Sequence, residues 1–383
     1  MRKWYKWQVL LLCSLLLTGC WDVNEPERMY YVFGVGVDFV DEEYKIYVQL
    51  IDFTNVAKTE QPNPEAIQSE IGTGKGETLD EAIFDLYHTL DMRVFWGHLS
   101  FVMLSESALE DGRTNTIVNL FNRYRETRYQ IWMYGTKDNL QEVMLATPVL
   151  NKSISLSKLA EPFNSFKQES LLVPVNFRQF IISLNEPNYS IPIPYIKISE
   201  NWVSEKSKQK TIEFEGVAVT GTSGLKAIFK TDEIDGLPFM KEETKRGELT
   251  YDIDGAPVTV VVENIKVDVK PKLENEKFKF DVTIKLNAIA SDFHSEITKK
   301  QVRETVKKEV EKRVMETYQT ALEKDIDLYN LSNYAYKKYV KQWKKLHEDG
   351  QVPLDEHSIS SIDVYIEKLS AARKEFTKTI KEE

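Results

Sequence analysis

Phe278, Phe280, Val282, Ile284 and Leu286 occupy every second position, with Lys279, Asp281, Thr283 and Lys285 between them. Only an extended chain places alternate side chains on one face, so this run predicts a half-buried strand over Phe278–Ala290. Shortly afterwards the period changes. Val302, Val306, Val310, Val314 and Tyr318 recur at four-residue steps and predict a long amphipathic helix from Ile297 to about Leu322. A strand with one apolar face and a helix with one apolar stripe must each be covered by another layer. Thr211–Thr220, Gly247–Ile253, Val258–Lys270 and Ile359–Ile366 supply further strands, and Asn330–Leu346 a second helix. The second half of the chain is therefore expected to be a strand-rich α+β domain.

The first half has a different rhythm. Tyr30–Phe39 and Tyr44–Phe53, joined by the acidic Asp41-Glu42-Glu43, predict a β-hairpin. Residues 54–76 are polar and carry Pro62 and Pro64, so a long loop is expected. Thr78 and Glu81 have capping-box spacing at the start of a helix carrying Leu79, Ala82, Ile83, Leu86 and Leu90. A buried strand at Leu99–Leu104, a helix through Ile117, Val118, Phe121 and Tyr124, a strand at Tyr129–Tyr134 and a helix capped by Asp138 follow. Prolines then recur. They leave short helices near Ser157–Phe166 and Val175–Leu184, and an edge strand over Tyr189–Ile198, where proline is tolerated. A chain of 383 residues implies more than one domain. The expected division is an N-terminal α/β domain over 20–149, a middle region over 150–205 and the α+β domain over 206–383. Mixed sheets packed with helices are expected throughout.

Residues 1–19 are expected to be a cleaved leader. Arg2, Lys3 and Lys6 precede the uncharged run Trp7–Leu17, which is too short to cross a bilayer and has the size of a secretory signal core. It ends Leu17-Thr18-Gly19-Cys20, which resembles the bacterial lipobox of Leu, two small residues and Cys. That resemblance implies cleavage between Gly19 and Cys20 and a diacylglycerol on the Cys20 thiol. An ordinary signal peptide with an incidental cysteine is the competing reading. Two acyl chains hold a protein firmly, since each buried CH₂ contributes about 0.8 kcal/mol. Trp21 and Asp22 would then sit at the membrane surface, as candidate membrane or partner contacts. Cys13 is the only other cysteine and lies in the leader, so the mature chain is expected to have no free thiol for nucleophilic, redox or thiolate-metal chemistry.

No catalytic, cofactor or metal site is expected elsewhere. The formal charge of −10 argues against nucleic acid as the partner. His88, His98, His294, His347 and His357 show no metal-ligand spacing. His98 reads as a structural histidine, with a buried switch as the alternative. Gly72–Thr78 lacks the G-x-x-x-x-G-K-[ST] pattern of a phosphate loop and reads as a flexible entry to a helix. Tyr336, Tyr339, Val340 and Trp343 share a helical face among lysines. That face suits either a protein core with snorkelling lysines or an anionic membrane surface, the core being favoured. Glu304 with Lys308, and Glu309 with Arg313, have the spacing of solvated helical pairs.

Cys20-Trp21-Asp22 at the lipobox, Glu25, Phe33-Gly34-Val35-Gly36-Val37-Asp38, Gly76-Glu77-Thr78 and Phe95-Trp96-Gly97-His98-Leu99 occur in that order. With Phe278–Ala290, the long helix and Lys324-Asp325-Ile326-Asp327, they resemble the Ger(x)C family of spore germination lipoproteins. The departure is Asp327-Leu328-Tyr329, where a glycine-containing turn is expected. The resemblance implies three mixed α/β domains and a non-enzymatic C subunit of a nutrient germinant receptor. Its expected partners are a large membrane A subunit, a permease-like B subunit and membrane lipid through the acylated Cys20. Its expected place is the outer face of the inner spore membrane. A solute-binding lipoprotein of a transport system is the second reading, and the strand-rich second half argues against the two Rossmann-like lobes it needs.

Overall fold

The computed structural model describes residue 4 and residues 28–371, except 52–68, 124–125, 127, 187–189, 205–206, 254, 293–296 and 349. The fold is α+β and is carried by two mixed sheets. The predicted hairpin forms from β1 (Met29–Val40) and β2 (Glu43–Ile51). Asp41 and Glu42 close it with φ of 54° and 63°, as a tight two-residue turn requires. A bulge between Val32 and Gly34 switches the buried side of β1, so that Val32, Val35 and Val37 share one core while Phe33 enters another.

Residues 69–76 are not loop. They form β3 (Ser69–Gly76), antiparallel to β2. Glycine is depleted in strands, which hides this one in the sequence. Its glycines serve the helix that follows, α1 (Leu79–Tyr87). A Cβ on Gly74 would stand 2.0 Å from the Ala82 carbonyl oxygen, and one on Gly72 would stand 2.6 Å from Leu86 Cδ1. The bare face of β3 is thus the seat on which α1 lies. Thr78 Oγ1 accepts the Glu81 N–H at 3.2 Å, as expected. Glu81 Oε2 accepts from the Glu77 N–H at 2.9 Å, one residue before the position a capping box uses.

The chain continues through β4 (Arg93–Phe95), β5 (Phe101–Ser105), α2 (Glu106–Leu109), α3 (Arg113–Arg123), β6 (Trp132–Thr136), α4 (Leu140–Leu145), α5 (Pro162–Phe166) and α6 (Phe177–Asn185). The first sheet is completed by β7 (Ile191–Val203), β8 (Lys208–Gly221) and β9 (Gly224–Lys230). Its order is β3-β2-β1-β5-β6-β7-β8-β9, with β4 also beside β1. The expected edge strand is therefore interior, since β7 has β6 on one side and β8 on the other. Pro192 and Pro194 have no N–H to give a second neighbour, and the β6–β7 ladder is a single bridge at Gly135 and Tyr195. Asp138 does not cap α4; Asn139 does, accepting the Glu142 N–H at 3.1 Å. The Asp138 carboxylate instead accepts the Ile198 N–H at 2.7 Å and serves β7 where β6 is missing. Val35, Val102, Phe121 and Phe180 fill one side of this sheet, and Phe33, Phe101, Tyr134 and Met144 the other.

The second sheet has the order β10 (Gly247–Ile253), β11 (Ala256–Glu274), β12 (Lys277–Asp292) and β13 (Ile359–Ala371). β12 and β13 are parallel, so the chain must cross over between them. The crossover is α7 (Lys299–Glu323), α8 (Leu331–Lys338) and α9 (Val340–Leu346). Both predicted faces meet here. Phe280, Val282, Ile284 and Leu286 of β12 and Val302, Val306, Val310 and Val314 of α7 are all 0% exposed. Each such side chain contributes about 1.5–3 kcal/mol by leaving water. Val217, Val219 and Phe229, from the far end of the first sheet, join the same core and weld the two sheets together.

Two local expectations fail. The helix over Asn330–Leu346 breaks at Tyr339, whose φ of −128° and ψ of 51° are not helical. The surface pairs of α7 also differ. Glu304 meets Lys307 at 3.5 Å rather than Lys308, and Arg313 turns away from Glu309 to Asp235 at 3.3 Å. Asp235 precedes Gly236, whose N–H donates to Thr317 Oγ1 at 3.0 Å. Arg313 is thereby recruited to hold a segment that packs against its own helix.

Candidate functional site

Gly19, Cys20, Trp21 and Asp22, the expected cleavage, lipidation and contact residues, lie outside the described residues. The structure nevertheless shows where the chain that follows them enters the body. Met29, Tyr30 and Tyr31 of β1 pair with Arg93, Val94 and Phe95 of β4. Phe95-Trp96-Gly97-His98 therefore lies beside the point of entry. Arg28 follows Cys20 by eight residues, which an extended chain covers in at most about 28 Å.

A groove of about 500 Å³ opens on this face. Tyr87, Leu90, Met92, Val94 and Trp96 line it, with Arg93, Arg123 and Glu126 around them. Its floor is fixed by Trp96, which is 2% exposed. The Trp96 indole N–H donates to the Tyr87 hydroxyl at 2.9 Å and its backbone N–H donates to Glu126 at 3.3 Å. Glu126 also meets Arg93 at 3.5 Å, and Arg123 meets Asp80 at 2.8 Å. Phe84 stands edge-on to Tyr87 with ring centres 6.1 Å apart, yet is largely exposed. Met92 adds further exposed apolar surface. A rigid apolar floor with a charged rim is the anatomy of a protein contact surface. His98 packs edge-on against Tyr31 at 5.2 Å and Phe95 at 5.7 Å. Burial, and then the charge of Arg128, lower its pKa, so the ring is neutral at neutral pH. This is the structural histidine expected from the sequence.

The aromatic-basic helix is resolved in favour of the core. Trp343 is 4% exposed and donates from its indole to Ser332 Oγ at 3.1 Å. It stacks on His347 at 4.3 Å and meets Tyr336 edge-on at 4.9 Å. Lys337, Lys341, Lys344 and Lys345 are exposed, Lys338 donates to the Pro271 carbonyl at 3.4 Å, and Val340 of the predicted face is exposed rather than buried. The Asp327 turn is also built differently from the glycine turn expected. Asn330 takes the left-handed conformation at φ 55°, which asparagine tolerates best after glycine. Asp327 then caps α8, its carboxylate accepting the Leu331 and Ser332 N–H groups at 2.8 and 2.7 Å. Burial pushes its pKa up to about 6, against the pull of these two N–H groups, Lys226 and Lys241. The sequence signal for this cap is weak, since Asp, Asn and Ser near a helix start are common.

Among the described residues no three His, Cys, Asp or Glu side chains gather as a metal site, and no helix is long and apolar enough to cross a membrane.

Residues 22–198 match the family described as the spore germination protein N-terminal domain, and residues 215–367 the one described as spore germination B3/GerAC-like, C-terminal. Spore germination protein B3 of Bacillus subtilis (strain 168) is 25% identical over 296 residues, 76% of each chain. Spore germination protein KC of the same organism is 23% identical over 371 residues, 89% of each chain. The crystal structure of the GerBC protein superposes with a TM-score of 0.52 at 19% identity, covering 88% of this chain and 96% of that one. Its likeness shows the shared fold. The matched domains, in this order on this fold, place the chain in the Ger(x)C family of spore germination proteins, as a germinant-receptor component.

Proposed function

We propose that the chain is a lipid-anchored, non-enzymatic subunit of a nutrient germinant receptor, held on the outer face of the inner spore membrane. Its partners are the membrane A and B subunits. One observation carries the anchoring: the lipobox cysteine, Cys20, stands nine residues before Met29, the first residue of the strand on which the first sheet is built. A tether this short keeps the groove between Tyr87 and Trp96 within a few tens of ångströms of the bilayer. Anchoring also raises the effective concentration of that face for a membrane partner, so weak contacts suffice for docking. The exposed Phe84 and Met92 beside a charged rim suit a partner with its own mixed apolar and charged surface.

The test is Cys20→Ala in spores. The variant is expected to leave the membrane fraction, to lose the response to nutrient, and to stop co-isolating with two multispanning proteins from solubilised spore membranes. A variant that remains membrane-bound without lipid and still supports germination would refute the anchor.

A further inference from the structure

Two cavities adjoin where the first sheet meets the second. The larger, about 320 Å³, is polar and includes Tyr329, Asn333, Tyr334 and Lys337 in its wall. The smaller, about 200 Å³, is mainly apolar, with Val175, Ile182, Ile191, Val217 and Leu237 in its wall and Gln179 among its few polar groups. Lys241 and Glu243 line both. The lysine therefore stands at the junction of an apolar chamber and a polar one.

One acceptor here is shut off from both cavities, and one cation lines them. Asn333 is 8% exposed, and its side-chain oxygen is buried without a hydrogen-bond partner among the described residues. Among the described residues no hydrogen bond or ion pair forms on the Lys241 ammonium; Glu243 and Asp327 attract it only at longer range. The packing around it lowers its pKa, although the side chain itself keeps part of its surface exposed. A cation that lines a cavity without a protein partner is a ready seat for an anion. An apolar chamber with a few convergent polar groups, set between two sheets, is the usual form of a small-molecule site.

We propose that the joined cavities bind a small amphipathic carboxylate. Its apolar body fills the chamber between Val175, Ile182 and Leu237. Its carboxylate pairs with Lys241. The site stands apart from the anchor and the docking groove, and the proposal survives if either of those fails.

The test is calorimetric titration of the full chain with 2-hydroxyhexanoate, hexanoate and the neutral 1,2-hexanediol. Both acids are expected to bind and the neutral diol is not. Lys241→Met should weaken both acids by about tenfold to a hundredfold, the range for losing a charged hydrogen bond. It should also raise the melting midpoint, because it removes an unpaired charge; a purely structural lysine would lower it. Ile182→Trp, at a half-exposed position of α6 that tolerates change, should block both acids with the fold intact. The proposal is overturned by absence of binding at millimolar probe, by a diol that binds as well as the acids, or by acid binding unchanged in Lys241→Met.

Discussion

Asn330 holds Ser190 by both ends of its amide: Oδ1 accepts the Ser190 N–H at 2.9 Å, and Nδ2 donates to the Ser190 carbonyl at 3.3 Å. Both residues are buried, 140 positions apart in sequence. The clamp ties the start of β7 in the first sheet to the turn that opens α8 beside the second. Asn330→Ala leaves both Ser190 groups unpaired and is expected to cost about 2–4 kcal/mol in urea unfolding. Asn330→Gly loses the clamp but keeps the left-handed turn, so it should be milder by about 1 kcal/mol. Equal losses for the two variants would show that the turn conformation carries no strain.

Gly74 should be intolerant for a different reason. An added methyl meets backbone, 2.0 Å from the Ala82 oxygen and 2.9 Å from the Leu86 nitrogen, so nothing can swing aside. Gly74→Ala is expected to cost about 3 kcal/mol by pushing α1 off β3. Gly255 is the control, with φ of 82° and open space around it. Gly255→Ala should cost only about 1 kcal/mol, from conformation alone. Thermal unfolding of the pair gives the ordering, and a reversed order would contradict the close seating of α1.

Stability should respond to pH in two opposite steps. Asp327 has its folded pKa raised to about 6 from an ordinary 3.8. Between those values the folded chain keeps a proton that the unfolded chain has lost. The stabilisation is complete below 3.8 and disappears as pH rises through about 6, on the order of 3 kcal/mol for this fully buried group. Asp327→Asn should abolish that slope. Asp355 behaves the other way. Burial pushes its carboxyl up, but Lys277, the His357 N–H and Lys279 prevail and hold it at about 2. Its contribution is present above 3.8 and lost as pH falls through about 2. Melting midpoints from pH 2 to 7 for the parent, Asp327→Asn and Asp355→Asn separate the two limbs; identical profiles for all three would deny both assignments.

The docking groove makes a functional prediction. Phe84→Asp combined with Met92→Asp changes two exposed side chains and should alter stability by no more than about 0.5 kcal/mol per site. It should nonetheless abolish co-isolation with the membrane subunits. Undiminished co-isolation at wild-type stability would move the contact to another face.

Period and spacing made much of this fold readable. The alternating Phe278–Leu286 run and the four-step valines of α7 each announced a face, and those faces meet in one core. What escaped depended on partners distant in the chain. β3 looked like loop because its glycines matter only once α1 lies on them. β7 looked like an edge because the sequence does not show Asp138 reaching Ile198 to serve its backbone. Arg313 looked paired within its helix until Asp235 was placed beside it. The site was legible to a different degree. The proposed anchor is local and rests on Leu17–Cys20 alone. The groove required β4 to pair with the first residues of β1. The cavities at Lys241 required two sheets to meet, and no run of residues announces them.

The interior position of β1 has a mechanical consequence. It is held by β2 on one side and by β4 and β5 on the other, and its first residues directly follow the segment leading from Cys20. A pull along the axis of β1 acts at right angles to the hydrogen bonds of the β1–β2 ladder. Those bonds share the load together instead of peeling one by one. Traction on the amino-terminal end of that strand would therefore drag the whole body before it opened the sheet.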